Sequence, residues 1–305
     1  MFEALEGRRL MSTSFSATTG VVTVTGIDDL GSQDSVTAKV AGGQFVVGDD
    51  GKVSSFPAAK VKKIVVNIRA GGATVRLDAS VKVPSTIGQS PTSHVTPVVV
   101  YGGSGPDTVY VGMGTEVHGG SGNDVFVNVG LGAAVYGDAG NDAFELTGSA
   151  GARLHGGTGN DTLDYSGGAA ASGGPGGGVG ILIRNGYAGE YSYDGTAIPP
   201  AENGQGYNDV YDGMDTFVGT QGDDFIFGTD GANYIDGRGG NDYVRGGKGD
   251  DVLVGGTGAD ALYGDDGNDT FYAQDKAKDF LSGGAGKDKW RGDASDVLNS
   301  VETKA

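Results

Sequence analysis

The apolar positions in the C-terminal third of the chain recur every nine residues. From Gly219 to Tyr272 it reads GTQGDDFIF, GTDGANYID, GRGGNDYVR, GGKGDDVLV, GGTGADALY and GDDGNDTFY, six blocks without a gap. Each block has glycine at positions 1 and 4, Asp or Asn at position 6 and an apolar residue at position 8. The apolar ladder is Ile226, Ile235, Val244, Leu253, Leu262 and Phe271. Gly, Asp and Asn tolerate the backbone angles of tight turns, and the residues around position 8 read as a short strand with one inward side chain. A block is then a turn of about six residues followed by a strand of about three. Two blocks close a coil of 18 residues, and turns two blocks apart stack on one edge at about 4.8 Å.

A second array, at 102–164, spaces its full turns by a whole coil. GGSGPD, GGSGND, GDAGND and GGTGND begin at Gly102, Gly119, Gly137 and Gly156. One edge carries Asp107, Asp124, Asp142 and Asp161, while the opposite edge (VGMGTEV, NVGLGAAV, TGSAGARL) carries no Asp. The inward ladders are Val109, Phe126, Phe144, Leu163 and Val100, Val117, Val135, Leu154. Upstream, residues 21–24, 44–47, 63–66 and 74–77 are β-rich segments parted by Gly/Asp turns. They read as a degenerate stretch of the same solenoid, with Ala73 where the array would place Asp. A separate small β-sandwich is the other reading of 14–95.

Residues 165–218 interrupt the repeats with a Gly/Ala-rich loop and a hairpin, whose strands 181–184 and 187–193 flank Asn185-Gly186. After Tyr272 the period decays. QDKAKDFLS keeps Asp279 and Leu281, and GGAGKDKWR keeps Asp288 and sets the only tryptophan, Trp290, at the inward position. The segments are 1–13, 14–95, 96–164, 165–218, 219–291 and a cap at 292–305. The fold expected is all-β, a right-handed parallel β-roll or β-helix solenoid.

The blocks resemble the RTX, or haemolysin-type, calcium-binding nonapeptide, GGxGxDxUx. That resemblance implies a calcium-loaded β-roll. An ion between turns two blocks apart would take carbonyl oxygens and one Asp from each, the hard oxygen ligands that Ca²⁺ accepts. The position-6 candidates are Asp107, Asp124, Asp142, Asp161, Asp224, Asn233, Asp242, Asp251, Asp260, Asp269 and Asp288. Residues at positions 1 and 3 complete the candidate shell: Gly102 and Ser104, Gly119 and Ser121, Gly137 and Ala139, Gly156 and Thr158 in the first array. In the second they are Gly237, Gly246 and Lys248, Gly255 and Thr257, and Gly264 and Asp266. The paired turns start at 102/119, 119/137, 137/156, 219/237, 228/246, 237/255, 246/264 and 264/283, which gives about seven or eight Ca²⁺. Ions are expected on one edge of the first array and on both edges of the second. One apolar side chain per block is too little burial to offset ordering nine residues, so the blocks should fold with calcium and loosen without it.

Composition sharpens this picture. The net charge is −18 with 61 glycines in 305 residues, and the Asp residues fall at one repeat position rather than in runs. No basic stripe exists, which argues against nucleic acid. Cysteine is absent, so there is no disulfide framework and no thiolate metal site; calcium would be the staple. No stretch is apolar enough to cross a membrane.

Residues 1–12 lack the apolar core of a secretory signal. Leu5-Glu6-Gly7-Arg8-Arg9-Leu10-Met11-Ser12 is similar to an L-E-x-R-x-L-L-S motif of large bacterial secreted or surface repeat proteins, with an amphipathic or disordered start as the other reading. Secreted RTX proteins often carry an insertion after D-Y-S-G, which Asp164-Tyr165-Ser166-Gly167 matches.

His118 and His155 alternate with Tyr101 and Tyr136 on an outward ladder, two strand spacings apart and too far to share a metal. Neither HExxH, GxSxG nor GxxxxGK[ST] occurs. The expectation is an extracellular or cell-surface bacterial calcium-binding solenoid, not an enzyme, with a structural or adhesive role and a cell-surface or matrix polysaccharide as a possible partner. The alternatives are a secretion and folding module of an RTX-type exoprotein, and a polysaccharide-active β-helix.

Overall fold

The computed structural model describes residues 12–19, 21–27, 35–49, 52–68, 73–77, 98–129, 132–147, 152–167, 179–184, 187–192 and 209–304. The N-terminal motif up to residue 11, the Gly-rich stretch 168–178 and Asn185-Gly186 lie outside the described residues. The fold is all-β apart from a short 3-10 turn at Ala58–Lys60. The chain separates into two compact units, 1–143 with 152–159, and 144–151 with 160–305.

In the first unit, successive strands alternate between two sheets, the winding of a parallel solenoid. One sheet stacks Val21–Ile27, Lys63–Ile68, Val98–Tyr101, Glu116–Ser121, Ala134–Ala139 and Arg153–Thr158 in parallel. The other stacks Ser35–Ala41, Thr74–Leu77, Thr108–Tyr110 and Val125–Val127. Strand geometry sends alternate side chains inward. Val24, Val66, Val100, Val117, Val135 and Leu154 therefore form one buried column, and Val36, Val75, Val109 and Phe126 another, none more than 1% exposed.

Two features of this unit depart from a plain coil. Ser12–Ser16 pairs antiparallel with Val21–Ile27. Gln44–Asp49 and Lys52–Pro57 extend Ser35–Ala41 as an antiparallel meander. The chain reverses at Gly42-Gly43, with φ of 56° and 75°, as in a type I′ hairpin.

The second unit repeats the winding with the nonapeptide blocks. Phe225–Phe227, Tyr243–Lys248, Ala261–Asp266, Phe280–Ala285 and Val297–Asn299 form one parallel stack. Thr162–Asp164, Thr216–Val218, Tyr234–Asp236, Val252–Val254, Thr270–Ala273, Lys289–Gly292 and Thr303–Lys304 form the other. The ladder Ile226, Ile235, Val244, Leu253, Leu262 and Phe271 is wholly buried. Val179–Arg184 pairs antiparallel with Tyr187–Ser192 and parallel with Phe225–Phe227, so the insertion feeds its hairpin into the sheet.

Beyond residue 292 the chain winds on through two further short strands, Val297–Asn299 and Thr303–Lys304. Trp290 keeps register with Phe271 and with Lys304 but is only half-buried.

Candidate metal centre

At the end of each turn, the position-6 side chain faces inward. Asp107, Asp124, Asp142, Asp161, Asp224, Asn233, Asp242, Asp251, Asp260, Asp269 and Asp288 are each no more than 3% exposed. Strand spacing stacks them into columns, and a hydrogen-bond relay joins each column. The backbone N–H of Asp107 donates to Oδ1 of Asp124 at 2.7 Å, and that of Asp124 to Oδ1 of Asp142 at 2.8 Å. In the second unit one column runs Asp224 to Asp242 (2.8 Å) and Asp242 to Asp260 (2.9 Å). The other runs Asn233 to Asp251 (2.8 Å), Asp251 to Asp269 (2.9 Å) and Asp269 to Asp288 (2.9 Å). Every carboxylate thus leans toward the coil before it.

The second oxygen is where the chemistry lies. Oδ2 of Asp124, Asp242, Asp251, Asp260 and Asp269 is buried and accepts no hydrogen bond. Burial raises the pKa of these groups, to about 7 for Asp124, Asp251 and Asp260, about 6 for Asp269 and about 10 for Asp242. Neighbouring carboxylates in the column push the same way. A buried anionic oxygen without a donor is costly, and a cation in the gap between turns relieves it.

The space around that oxygen is kept open by glycine. A Cβ on Gly119 or Gly237 would overlap Oδ2 of Asp124 or Asp242 and sit 2.7 or 2.8 Å from the carbonyl oxygen of Gly137 or Gly255. Among the described residues, no three His, Cys, Asp or Glu side chains converge as a metal cluster. Backbone carbonyls such as those of Gly137 and Gly255 are the oxygens at hand beside the carboxylates for a coordination shell. Such a shell suits Ca²⁺, which accepts six to eight oxygens, and not Zn²⁺, which prefers imidazole and thiolate.

The turns also show which carbonyls face the gaps. The position-3 carbonyls of Ala139, Thr158, Thr257 and Asp266 accept the position-4 N–H of the preceding coil, at 2.8–2.9 Å. Position-4 carbonyls point at the next turn: a Cβ on Gly258 would overlap the oxygen of Gly240, and one on Gly140 that of Gly122. Gly258 lies at φ 130°, in the left-handed half of the map where side chains are strained.

The first consensus turn of each run is built differently. In 102–107, 219–224 and 228–233, positions 2 and 4 do not enter the left-handed region. There the position-6 group is closed by its own turn. Thr220 donates N–H to Asp224 Oδ2 at 2.6 Å and its hydroxyl to Oδ1 at 3.0 Å, and Thr229 N–H donates to Asn233 Oδ1 at 2.7 Å. Gly103 N–H donates to Asp107 Oδ2 at 3.3 Å.

Two further groups were not singled out from the sequence. Asp215 sits one coil before Asn233, whose Nδ2 reaches the Asp215 carbonyl at 3.4 Å. Its turn, Asp212-Gly213-Met214-Asp215, lacks the double glycine, but the Asp-x-Phe spacing to Phe217 carries the signal. At position 5, Asp223, Asn241, Asp250 and Asn268 cap the N–H one coil later, as in Asn241 to Asp223 at 2.7 Å and Asn268 to Asp250 at 2.8 Å.

In the first unit the edge opposite the Asp column has Thr115, Ala133 and Ala152 in the equivalent buried places, with Ala134 N–H donating to Thr115 O just as Val125 N–H donates to Asp107 O. The Tyr101–His118–Tyr136–His155 rings stack at 5.2, 4.6 and 4.6 Å between centroids. His118 also meets Glu116 at 3.2 Å.

The family model for the RTX calcium-binding nonapeptide repeat matches the chain in four copies, at 99–126, 145–169, 209–244 and 245–275. No curated protein matches the chain. The matched segments hold the turns at 102–107, 119–124, 156–161, 219–224, 228–233, 237–242, 246–251, 255–260 and 264–269. The chain carries RTX calcium-binding nonapeptide repeats, wound into a parallel β-solenoid.

Proposed function

We propose that this is an exported calcium-binding solenoid that acts as a rigid structural or adhesive element outside the cell, without catalysis. The carrying observation is the recurring buried aspartate Oδ2 without a donor, at Asp124, Asp242, Asp251, Asp260 and Asp269. Each would hold one ion in the gap to the preceding turn, with carbonyls of both turns completing the shell. Bound Ca²⁺ supplies the positive charge that the columns lack, in a chain of net charge −18. Sites of this carbonyl-rich kind suit the millimolar calcium outside bacteria, where modules bind at about 10⁻⁴–10⁻³ M. The absence of cysteine fits a chain stapled by metal rather than by disulfides.

A polysaccharide-active surface draws less support. The Tyr101–His118–Tyr136–His155 rings spend their faces on one another, leaving edges outward rather than flat platforms for sugar rings. A calcium titration of the full chain followed by circular dichroism tests the main reading. The β signal of 219–291 should appear with calcium and be lost on chelation. Equal signal in excess chelator would sink it.

A further inference from the structure

The unbroken run of repeats ends at Tyr272, yet the turn that follows, which breaks the pattern, keeps its chemistry. Residues 273–279 read Ala-Gln-Asp-Lys-Ala-Lys-Asp, with neither consensus glycine and with one residue more than a regular turn. Asp279 nevertheless takes the position-6 place. It is 1% exposed, its Oδ1 accepts the Asp260 N–H at 2.8 Å, and its Oδ2 is buried with no hydrogen-bond donor.

The missing glycines have substitutes. Asp275 Oδ2 accepts the Gly258 N–H at 2.7 Å, the role a position-3 carbonyl plays in regular turns, and Asp275 Oδ1 accepts the Ala277 N–H at 2.8 Å. Lys276 takes the left-handed conformation at φ 77° that glycine holds at position 4 elsewhere. Ala273, 1% exposed, stands at position 1 with a Cβ that the consensus glycines lack, in a turn one residue longer than theirs. The gap behind this turn is closed by 255–260, a regular turn whose Gly256 and Gly258 have φ of 103° and 130°.

We propose that Asp279 holds a further divalent cation, Ca²⁺, between the turn 255–260 and the non-consensus turn 273–279, with Asp275 shaping the turn and backbone carbonyls completing the shell. The site rests on the calcium reading above and extends it to a turn that the nonapeptide pattern does not mark. Burial, with Asp275, Asp296 and Asp293 nearby, raises Asp279 to about 6. Protonation is therefore the competing way to quiet its second oxygen.

Anomalous diffraction from crystals of the calcium-loaded full chain separates the possibilities. The expected result is a peak at about 2.3–2.6 Å from Asp279 Oδ2, beside peaks at the consensus gaps. Peaks at the consensus gaps alone overturn this site and leave the wider reading intact. No peaks anywhere overturn both. Asp279→Asn keeps the Oδ1 acceptor for Asp260 and removes the charge. At saturating calcium, the folded variant should bind one ion fewer by equilibrium dialysis; an unchanged count overturns the proposal.

Discussion

At the scale of single residues, two aspartates at the same repeat position differ in what they can offer. Asp242 has an Oδ2 without a donor, while both Asp224 oxygens are taken by Thr220. Asp242→Asn should raise the calcium midpoint of folding of the full chain several-fold. Asp224→Asn should shift it much less, and equal shifts in calorimetric titrations would contradict the assignment. The raised carboxylates also fix a pH dependence. Their folded values, about 6–7 for Asp124, Asp251, Asp260 and Asp269, lie above the usual carboxylate range. Their contribution to stability is therefore complete below pH ~4 and lost as pH rises through about 7. In metal-free buffer the chain should melt higher at pH 4.5 than at pH 8. In saturating calcium the order should reverse, because protons then compete with the ion.

At the scale of the turn, the close stacking of backbone on backbone makes individual glycines unequal. Gly258 combines φ 130° with a Cβ position that overlaps the Gly240 carbonyl. Gly231, in a first turn, has only Thr229 Oγ1 within 4 Å of its Cβ position, at 3.8 Å. Gly258→Ala should cost at least the ~1–2 kcal/mol of a left-handed L-residue, read as a lower denaturant midpoint in calcium. Gly231→Ala should be close to neutral.

This is also the scale at which the sequence is most and least legible. The inward ladder and the Asp columns could be read because both follow from one period, and the periods of 17, 18 and 19 in the first array survive as whole coils. The threonines at position 2 of the first turns look like noise against glycine until their hydrogen bonds are seen. Asp215 was obscured because its turn lacks the double glycine, and Asp279, though kept by the period, was not read as a ligand because its turn has neither consensus glycine. The meander at 44–57 escaped because Gly42-Gly43 resembles a solenoid turn as closely as a hairpin turn.

Across the whole chain, cohesion has two sources. The coils at 21–77 bury two inward side chains in strands such as those of Val22 and Val24 or Ile64 and Val66, and among the described residues they carry no buried carboxylate column. The nonapeptide coils bury one and rely on the gaps. Hydrogen exchange should therefore find amides at 36–47 and 63–68 protected with or without calcium, and those at 234–272 protected only with it. Each filled gap adds about 1.4 kcal/mol per tenfold rise in free calcium, so the calcium dependence of stability of 219–291 should count its sites.

The backward lean of the carboxylates has a consequence for timing. In the regular coils the position-6 N–H waits for an oxygen that lies 17 to 19 residues further on, and that of Asp161 for one 54 residues on, beyond the insertion. A chain appearing N-terminus first is always one coil short: its newest turn is unfinished until the next has been made. The columns close only at Asp296 and Glu302, which receive the N–H groups of Asp279 and Asp288 at 3.3 and 2.8 Å. Glu302 is one carbon longer than the aspartates and reaches back from beside the short strand Thr303–Lys304, so Asp296 and Glu302 act as a clasp on the two columns. A chain cut before them does not lose a decoration; its unfinished edge moves inward by a coil.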